Sequence, residues 1–238
     1  MRVAELWRFP VKSLQGERLD AAELGPEGIV GDRQWALFDV ATGFGLTARR
    51  EPDLLFAAAR LRGDGSVEIV LPDGTVAPDD QTLSHWIGRP VALRSAAQVT
   101  ERRRYESLED DLDERSGWHD WAVAAGGAFH DNADSRLSLV STGTLGSWDR
   151  RRFRSNIVLD GDGEDALAGA RLRLGGATIV VGTAIPRCVM VTRPQPGGIG
   201  RDTGVLKAIH RARGGELAMG ARVLEPGTVR TGDVVGPA

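Results

Sequence analysis

The chain has 238 residues, enough to bury a substantial core as one large domain or two small ones. Hydrophobic residues make up 41% and charged residues 26%, a balance typical of folded proteins and atypical of disordered ones. The formal net charge of −3 argues against general nucleic-acid binding, which needs a surplus of lysine and arginine to neutralise phosphates.

Apolar runs such as 177–181 have the length of a strand and fall far short of the about 20 residues that cross a membrane, so no membrane association is expected. The N-terminus lacks the pattern of a secretory signal, since Arg2 and Glu5 interrupt it. The lone cysteine, Cys188, cannot form an intramolecular disulfide, and the sequence therefore predicts a cytoplasmic protein. One cysteine also excludes an all-cysteine iron–sulfur cluster within the chain, so any redox chemistry needs electrons from elsewhere.

Short strand-like segments separated by glycine and proline turns predict a mainly β fold with a few short helices. Gly63-Asp64-Gly65 and Gly175-Gly176 are typical hairpin turns. Many short strands with glycine turns favour barrels over a doubly wound sheet. The predicted strands are 3–9, 18–24, 34–39, 57–61, 67–71, 136–141, 156–160, 170–174 and 177–181, with short apolar pieces between 221 and 235.

Three segments have the pattern of helices: 80–87, with Gly88 in the left-handed position after its end, then 142–150, and 206–213 before Gly214. The stretch 101–120 is strongly charged and is typical of a solvated loop, with a surface for docking a partner as the alternative.

Cys188 follows a predicted strand and stands beside Arg187. A neighbouring guanidinium lowers the pKa of a thiol and favours the thiolate, the form that attacks substrates or binds metal. The alternative is an inert structural cysteine, since free cysteine is among the most buried residue types.

Two loops carry groups suited to an anion. In the loop 9–16, Lys12 and Ser13 could hold an anion by charge and by a hydroxyl donor. In the segment 31–35, Arg33 could bind a phosphate with two donors, or could simply pair with Asp32. Either loop alone is also compatible with an ordinary surface.

The segment 150–157 is rich in arginine, and a solvated face is its simplest interpretation. Phe153 and Ile157 have the character of core residues, however, and Arg154 and Asn156 between them would then point together into a cleft. Upstream, Ser141 and Thr142 stand where a strand leads into a helix, whose first backbone N–H groups can bind an anion.

Taken together, these motifs resemble the MOSC family, named for the C-terminal part of molybdenum-cofactor sulfurases, across essentially the whole chain. No single motif is specific, but their order around a lone cysteine is. They are Pro10-Val11-Lys12-Ser13, Gly31-Asp32-Arg33-Gln34-Trp35, Phe129-His130-Asp131, Phe153-Arg154-Ser155-Asn156-Ile157, Arg187-Cys188 and Gly227-Thr228-Val229-Arg230-Thr231-Gly232-Asp233. The resemblance implies a small N-terminal β-barrel domain at 1–95, a charged connecting segment at 96–128 and a β-barrel MOSC domain at 129–238.

The resemblance also implies a molybdenum cofactor, a molybdopterin-bound metal with Cys188 as its protein ligand and catalytic residue. A soft thiolate suits a redox-active metal better than a hard carboxylate does. The phosphate of the cofactor needs cationic and hydroxyl partners. Correspondence of motifs assigns the cofactor-binding role to Lys12, Ser13, Arg33, Ser141, Thr142, Arg154, Asn156 and Arg187.

The best-known activity of similar proteins is the reduction of N-hydroxylated compounds. The resemblance therefore implies an oxidoreductase that acts on a small molecule with electrons from a separate iron–sulfur or flavin protein. The alternative is a carrier that passes on cofactor or sulfur through Cys188 without turnover. A hydrolase is less favoured, because His119 and His130 lack the spacing of a helical His pair, and no residue pattern marks a basic histidine for the thiol.

Overall fold

The computed structural model describes residues 1–99, 101–110, 117–123 and 127–238. Strands dominate, as predicted. In chain order they are β1 (Val3–Arg8), β2 (Glu17–Leu19), β3 (Ala21–Gly25), β4 (Gly28–Ile29), β5 (Trp35–Asp39), β6 (Ala58–Leu61), β7 (Val67–Val70), β8 (Val91–Ser95), β9 (Arg103–Leu108), β10 (Trp118–Val123), β11 (Leu137–Ser141), β12 (Ile157–Leu159), β13 (Arg171–Leu174), β14 (Ala177–Pro186), β15 (Glu216–Glu225), β16 (Gly227–Arg230) and β17 (Val235–Pro237). The helices are α1 (Asp80–Ile87), α2 (Thr142–Leu145) and α3 (Thr203–Arg213), and 3-10 turns cover Pro52–Phe56, Arg150–Arg152, Glu164–Leu167 and Val189–Thr192.

The helices follow their local capping signals. Helix α1 has the predicted bounds, and Gly88 takes the left-handed conformation after it, with φ of 79°. Helix α3 begins earlier than predicted, at Thr203, because the Asp202 side chain accepts a hydrogen bond from the Gly204 N–H at 2.8 Å. The predicted helix 142–150 is wrong after Leu145, where α2 ends and the chain turns at Gly146.

One eight-stranded sheet carries most of the core, in the order β17-β13-β14-β15-β11-β12-β1-β2. Within it β11 and β12 run parallel and the other pairs are antiparallel. Leu6 and Leu24 from the start of the chain pack with Leu139 and Ile179, so the two ends of the chain share one core. The predicted boundaries at 95 and 128 stay predictions.

The closed barrels that we predicted are not formed by the hydrogen bonding of the described residues. The large sheet keeps two edges, β17 and β2. An isolated bridge between Arg2 and Val234 and a few backbone hydrogen bonds, such as the one from the Val3 N–H to the carbonyl oxygen of Asp233 at 2.9 Å, join the start of β1 to the residues around the start of β17. Irregular register between β14 and β15 lets these long strands bend. The sheet therefore curls back towards itself without the continuous ladder that closure requires.

A second core lies under the pairs β5–β8 and β6–β7 and helix α1, around Val11, Leu14 and Leu55. Strands β9 and β10 pair antiparallel, so the loop predicted for 101–120 is wrong where these strands lie. The reason is an alternation hidden by the charges, in which Arg103 and Tyr105 are buried and Arg104 is exposed. Within that stretch, residues 111–116 lie outside the described residues.

No helix within the described ranges is both long enough and apolar enough to cross a membrane.

Candidate functional site

The loop after β1 places Lys12 against the segment before β11. The Lys12 ammonium is buried, forms an ion pair with Asp131, donates to the carbonyl oxygen of Phe129 at 3.2 Å and lies 4.8 Å from the centre of the Tyr105 ring. Burial lowers the pKa of Lys12 below its usual range, and Asp131 opposes that shift.

Asp131 is the solvent-facing member of the pair, with its side chain 52% exposed. Desolvation alone would raise its pKa, but the positive charges of Lys12 and Arg49 outweigh that effect and hold the pKa below its usual range. Asp131 is therefore an ionised acceptor at the mouth of a cationic site.

Two guanidinium groups face the ring of Phe9, Arg33 at 5.4 Å and Arg154 at 4.4 Å from its centre. Arg33 also pairs with buried Asp32, as the alternative interpretation of its motif predicts. Arg154 is 8% exposed and donates to the carbonyl oxygen of Leu14 at 2.5 Å. Its pKa is lowered to about 9, first by burial and then by Arg33, so the two like charges lie within interaction range.

Backbone strain is concentrated at the same place. Ser13, Arg33 and Arg154 have φ of 71°, 49° and 53°, and among the described non-glycine residues only Ala218, at 71°, shares that left-handed conformation. Each such residue costs free energy unless its surroundings enforce it, and such residues cluster at functional sites. Three of the four carry side chains that we predicted to bind an anion.

Arg187 links this cluster to Cys188. Arg187 is partly buried, and its Nη2 atom is fully so. Its guanidinium donates to the carbonyl oxygens of Leu217 at 2.7 Å and Phe153 at 3.0 Å. Burial lowers the pKa of Arg187 to about 10, with Cys188 opposing and Arg33 reinforcing the shift. Cys188 itself is partly exposed and immediately precedes the 3-10 turn Val189–Thr192. The alternative is therefore wrong as to full burial, and the reactivity of Cys188 stays a prediction.

Lys12, Arg33, Arg154 and Arg187 form the cationic cluster. In and beside it, three buried donors have no hydrogen-bond partner in the part of the chain that the structure describes: Arg154 Nη2, Arg187 Nη2 and Ser155 Oγ. Leaving a buried donor unpaired costs about 1–3 kcal/mol. All three lie on or against the segment 153–155, since Arg187 bonds the carbonyl oxygen of Phe153. Unpaired donors among converging cations are what a site for an anionic ligand requires.

Ser141 and Thr142 lie apart from these groups. Because β11 and β12 are parallel and Ser141 pairs with Leu159, Ser141 stands at the opposite end of the strand pair from Arg154. The buried Ser141 hydroxyl donates to Glu164 at 2.5 Å and accepts from the Thr144 N–H at 3.2 Å. Thr142 is exposed and donates to the carbonyl oxygen of Gly161 at 3.2 Å.

The backbone at the start of α2 also has a partner within the protein, because the Gly143 N–H donates to the carbonyl oxygen of Gly161 at 2.7 Å.

Asn156 is buried and connects two strands of the sheet. It donates to the carbonyl oxygen of Trp7 at 3.2 Å and accepts from Ser138 Oγ at 3.1 Å. The Ser13 hydroxyl accepts from the Ala48 N–H at 3.1 Å. The structure therefore brings together Lys12, Arg33, Arg154, Arg187 and Cys188, and leaves the side chains of Ser13, Ser141, Thr142 and Asn156 in other contacts.

Sequence reasoning missed Arg49, Ser155 and the ion-pairing role of Asp131. Asp131 stands in a quoted motif, but its partner Lys12 lies 119 positions away. Arg49 acts on the pKa values of both Lys12 and Asp131, and nothing in its local sequence marks it. Ser155 has a signal, since it follows Arg154 directly.

The described residues contain no group of three His, Cys, Asp or Glu side chains that could hold a metal ion. The buried ring of His130 places Nε2 3.0 Å from the carbonyl oxygen of Glu27, and burial lowers its pKa to about 4. The histidine hydrolase is thereby disfavoured, and a metal at Cys188 would need its remaining ligands from a bound cofactor.

The fold and the site together define a class: a mainly β protein whose one cysteine is partly exposed and lies beside buried cationic side chains. The profile of the MOSC N-terminal beta barrel domain matches residues 1–114, and that of the MOSC domain matches residues 128–236. The chain belongs to the MOSC-domain family.

One curated protein and two solved structures are similar to the chain. The chain is 27% identical to the molybdenum cofactor sulfurase of Drosophila grimshawi over 92% of its own length, but spans only 31% of that relative. The crystal structure of the YUAD protein from Bacillus subtilis aligns with a TM-score of 0.45 at 12% identity, covering 98% of this chain and 93% of that one. YiiM from Geobacillus stearothermophilus aligns with a TM-score of 0.35 at 19% identity, covering 44% and 55%.

Proposed function

We propose that the chain binds a molybdenum cofactor at Cys188 and reduces N-hydroxylated small molecules with electrons from a separate donor protein. A role connected with the molybdenum cofactor fits the family and its sulfurase relative. The observation that carries the proposal is the set of unpaired buried donors, Arg154 Nη2, Arg187 Nη2 and Ser155 Oγ, beside a partly exposed thiol.

The residues present suit the chemistry of that cofactor. Its phosphate would be held by Lys12, Arg33 and Arg154, whose positive charges converge around Phe9 and Asp131. The Cys188 thiolate would bind the metal, and Arg187 beside it would compensate the negative charge of that thiolate. For Ser141, Thr142 and Asn156 the contacts described above argue for structural roles.

When bound, the cofactor would supply the two-electron chemistry. The protein's own residues bind and orient it. The cluster places cations where negative charge must be stabilised, and Asp131 keeps Lys12 in position through their ion pair. The electron donor, of the iron–sulfur or flavin type, the small-molecule substrate and a cytoplasmic location belong to this proposal.

A carrier of cofactor or sulfur is the second candidate. One observation favours it, namely that the curated relative is a sulfurase of which this chain spans less than a third. Such a carrier would use the partly exposed Cys188 as the attachment point and would show no turnover.

Purified protein from a cofactor-competent host separates the two. With a reduced viologen as artificial donor, the oxidoreductase consumes hydroxylamines or amidoximes at a rate that depends on bound molybdenum. The matched controls are Cys188→Ser, which should lose turnover, and Arg60→Met, an exposed change in β6 that should keep it. Exchangeable cofactor or a persulfide on Cys188 without any turnover would establish the carrier and overturn the reductase.

A further inference from the structure

A buried arginine from the arginine-rich segment 150–157, Arg152, holds the chain after Cys188. Arg152 is 8% exposed, and its guanidinium donates to the carbonyl oxygens of Val191 at 3.1 Å, Arg193 at 3.2 Å and Gly200 at 2.8 Å. The solvated face, the simplest interpretation of the segment 150–157, is thus wrong at Arg152.

These three carbonyl groups lie at both ends of one loop. Val191 lies in the 3-10 turn that follows Cys188, and Arg193 comes directly after that turn. Gly200 lies at the other end of the loop, shortly before α3. The Val191 N–H in turn donates to the carbonyl oxygen of Cys188 at 3.2 Å. The Arg152 side chain therefore holds Val191, whose N–H in turn holds the backbone of Cys188.

Arginine suits this task better than lysine does. Its planar guanidinium presents several donors in fixed directions, whereas an ammonium is a point charge at the end of a flexible stem. In the described part of the chain Arg152 has no ion-pair partner, so carbonyl dipoles alone compensate its charge. A buried charge arranged in this way is costly unless all its donors are used.

Neighbouring contacts hold the same loop from other sides. Arg151 Nη1 donates to the carbonyl oxygen of Pro196 at 2.9 Å, and Gln15 Nε2 donates to Gln195 Oε1 at 2.9 Å. Arg151 is about a third exposed and is also paired with Asp149 at 2.7 Å. It therefore offers a matched control: an adjacent arginine that bonds the same loop away from the turn of the cysteine.

We propose that Arg152 is a positioning residue for Cys188, holding the loop 191–200 so that the thiol keeps a fixed, partly shielded position facing the cationic cluster. This inference rests on the proposed role of Cys188 in binding the cofactor. Arg152 would act on Cys188 through the hydrogen bonds that hold the loop.

Alkylation of Cys188 tests the proposal directly, because the chain has no other thiol. The rate of reaction with iodoacetamide is measured on the cofactor-free full chain at one pH, well below the thermal unfolding midpoint. Arg152→Met should raise the alkylation rate about tenfold. The loss of one or two such hydrogen bonds raises the population of the locally opened loop by about that factor. Arg152→Lys should give a smaller increase, and Arg151→Met should match the parent.

A merely structural Arg152 would lower the unfolding midpoint in Arg152→Met while leaving the alkylation rate of the folded protein unchanged, and that result would overturn the proposal. Should Arg152→Met fail to fold, the comparison of Arg152→Lys with the parent decides, because an unchanged rate in that variant contradicts the proposal equally. Since the assay needs no cofactor, its result stands apart from the proposed function. Molybdenum binding that proves independent of Cys188 would overturn the function and leave the effect on the thiol intact.

Discussion

Lys12 and Asp131 form an ion pair that joins the loop after the first strand to the segment before β11, 119 positions later in the chain. The ammonium is buried and the carboxylate is 52% exposed, so the pair marks the boundary between the interior and the open side of the site. Removing either partner leaves the other with an unbalanced charge.

Asp131→Asn should lower the free energy of unfolding by about 1 kcal/mol, because the half-exposed carboxylate is screened by solvent while Lys12 loses its counter-charge. The folded-state pKa of Asp131 is depressed, so its contribution is present above the unfolded pKa of about 3.9 and is lost as pH falls through the folded value. Urea denaturation at pH 7 and below pH 3 measures both effects. Asp134→Asn, at a 77% exposed side chain, is the control, and an equal loss in both variants would contradict the account.

Arg154→Met should reduce cofactor occupancy several-fold without lowering the unfolding midpoint of the cofactor-free chain by more than a few degrees. The reason is that Arg154 contacts no carboxylate within the described ranges, and an apolar replacement for such a buried cation is often nearly neutral for stability. Molybdenum content per chain and thermal denaturation are measured together. A variant with parental occupancy would remove Arg154 from the phosphate site.

The buried His130 should make stability depend on pH. Its folded pKa of about 4 lies below the unfolded value of about 6.5, so only the unfolded state gains the proton between these values and stability falls as pH falls through that window. The total loss should be at most about 3 kcal/mol. His130→Gln should flatten this part of the stability profile, while His85→Gln, at an exposed position of α1, should retain it.

Gly16→Ala should disturb the site through Phe9. A Cβ at Gly16 would lie 2.2 Å from the carbonyl oxygen of Arg8 and 2.5 Å from the Phe9 ring, which carries both Arg33 and Arg154. Overpacking of this kind costs about 1–3 kcal/mol. Gly63→Ala, with no atom within 4 Å of its Cβ and no left-handed backbone, is the matched control, and equal unfolding midpoints for the two variants would be inconsistent with the described packing.

Elements with local signals could be predicted from the sequence. Helix α1 is specified by Asp79 at its start and Gly88 at its end, and both act within the helix itself. Cys188 and Arg187 were predicted as site residues because they are adjacent in the sequence, and their roles stay predictions. The strand pair β9–β10 was missed because charged side chains occupy its alternating pattern. Buried Arg103 donates to carbonyl groups of residues 127 and 128, which are distant in the sequence.

Residues of the site could be predicted from the sequence only where they belong to a recognisable motif. Ser141 and Thr142 have the residue types of an anion site, yet Glu164 and Gly161 already use their hydroxyl groups. The Glu164 contact spans 23 positions and leaves no periodic trace in the sequence. Arg152 escaped for the same reason, because its carbonyl partners come from a loop with no pattern of its own.

The central claim is that Cys188 is the protein ligand of a molybdenum cofactor. Its most direct test is the molybdenum and pterin content of the parent and of Cys188→Ser, both expressed in the same cofactor-competent host and shown by thermal denaturation to be folded. The account predicts that the parent retains molybdenum through purification and that Cys188→Ser loses most of it. Equal molybdenum in both proteins would contradict the account.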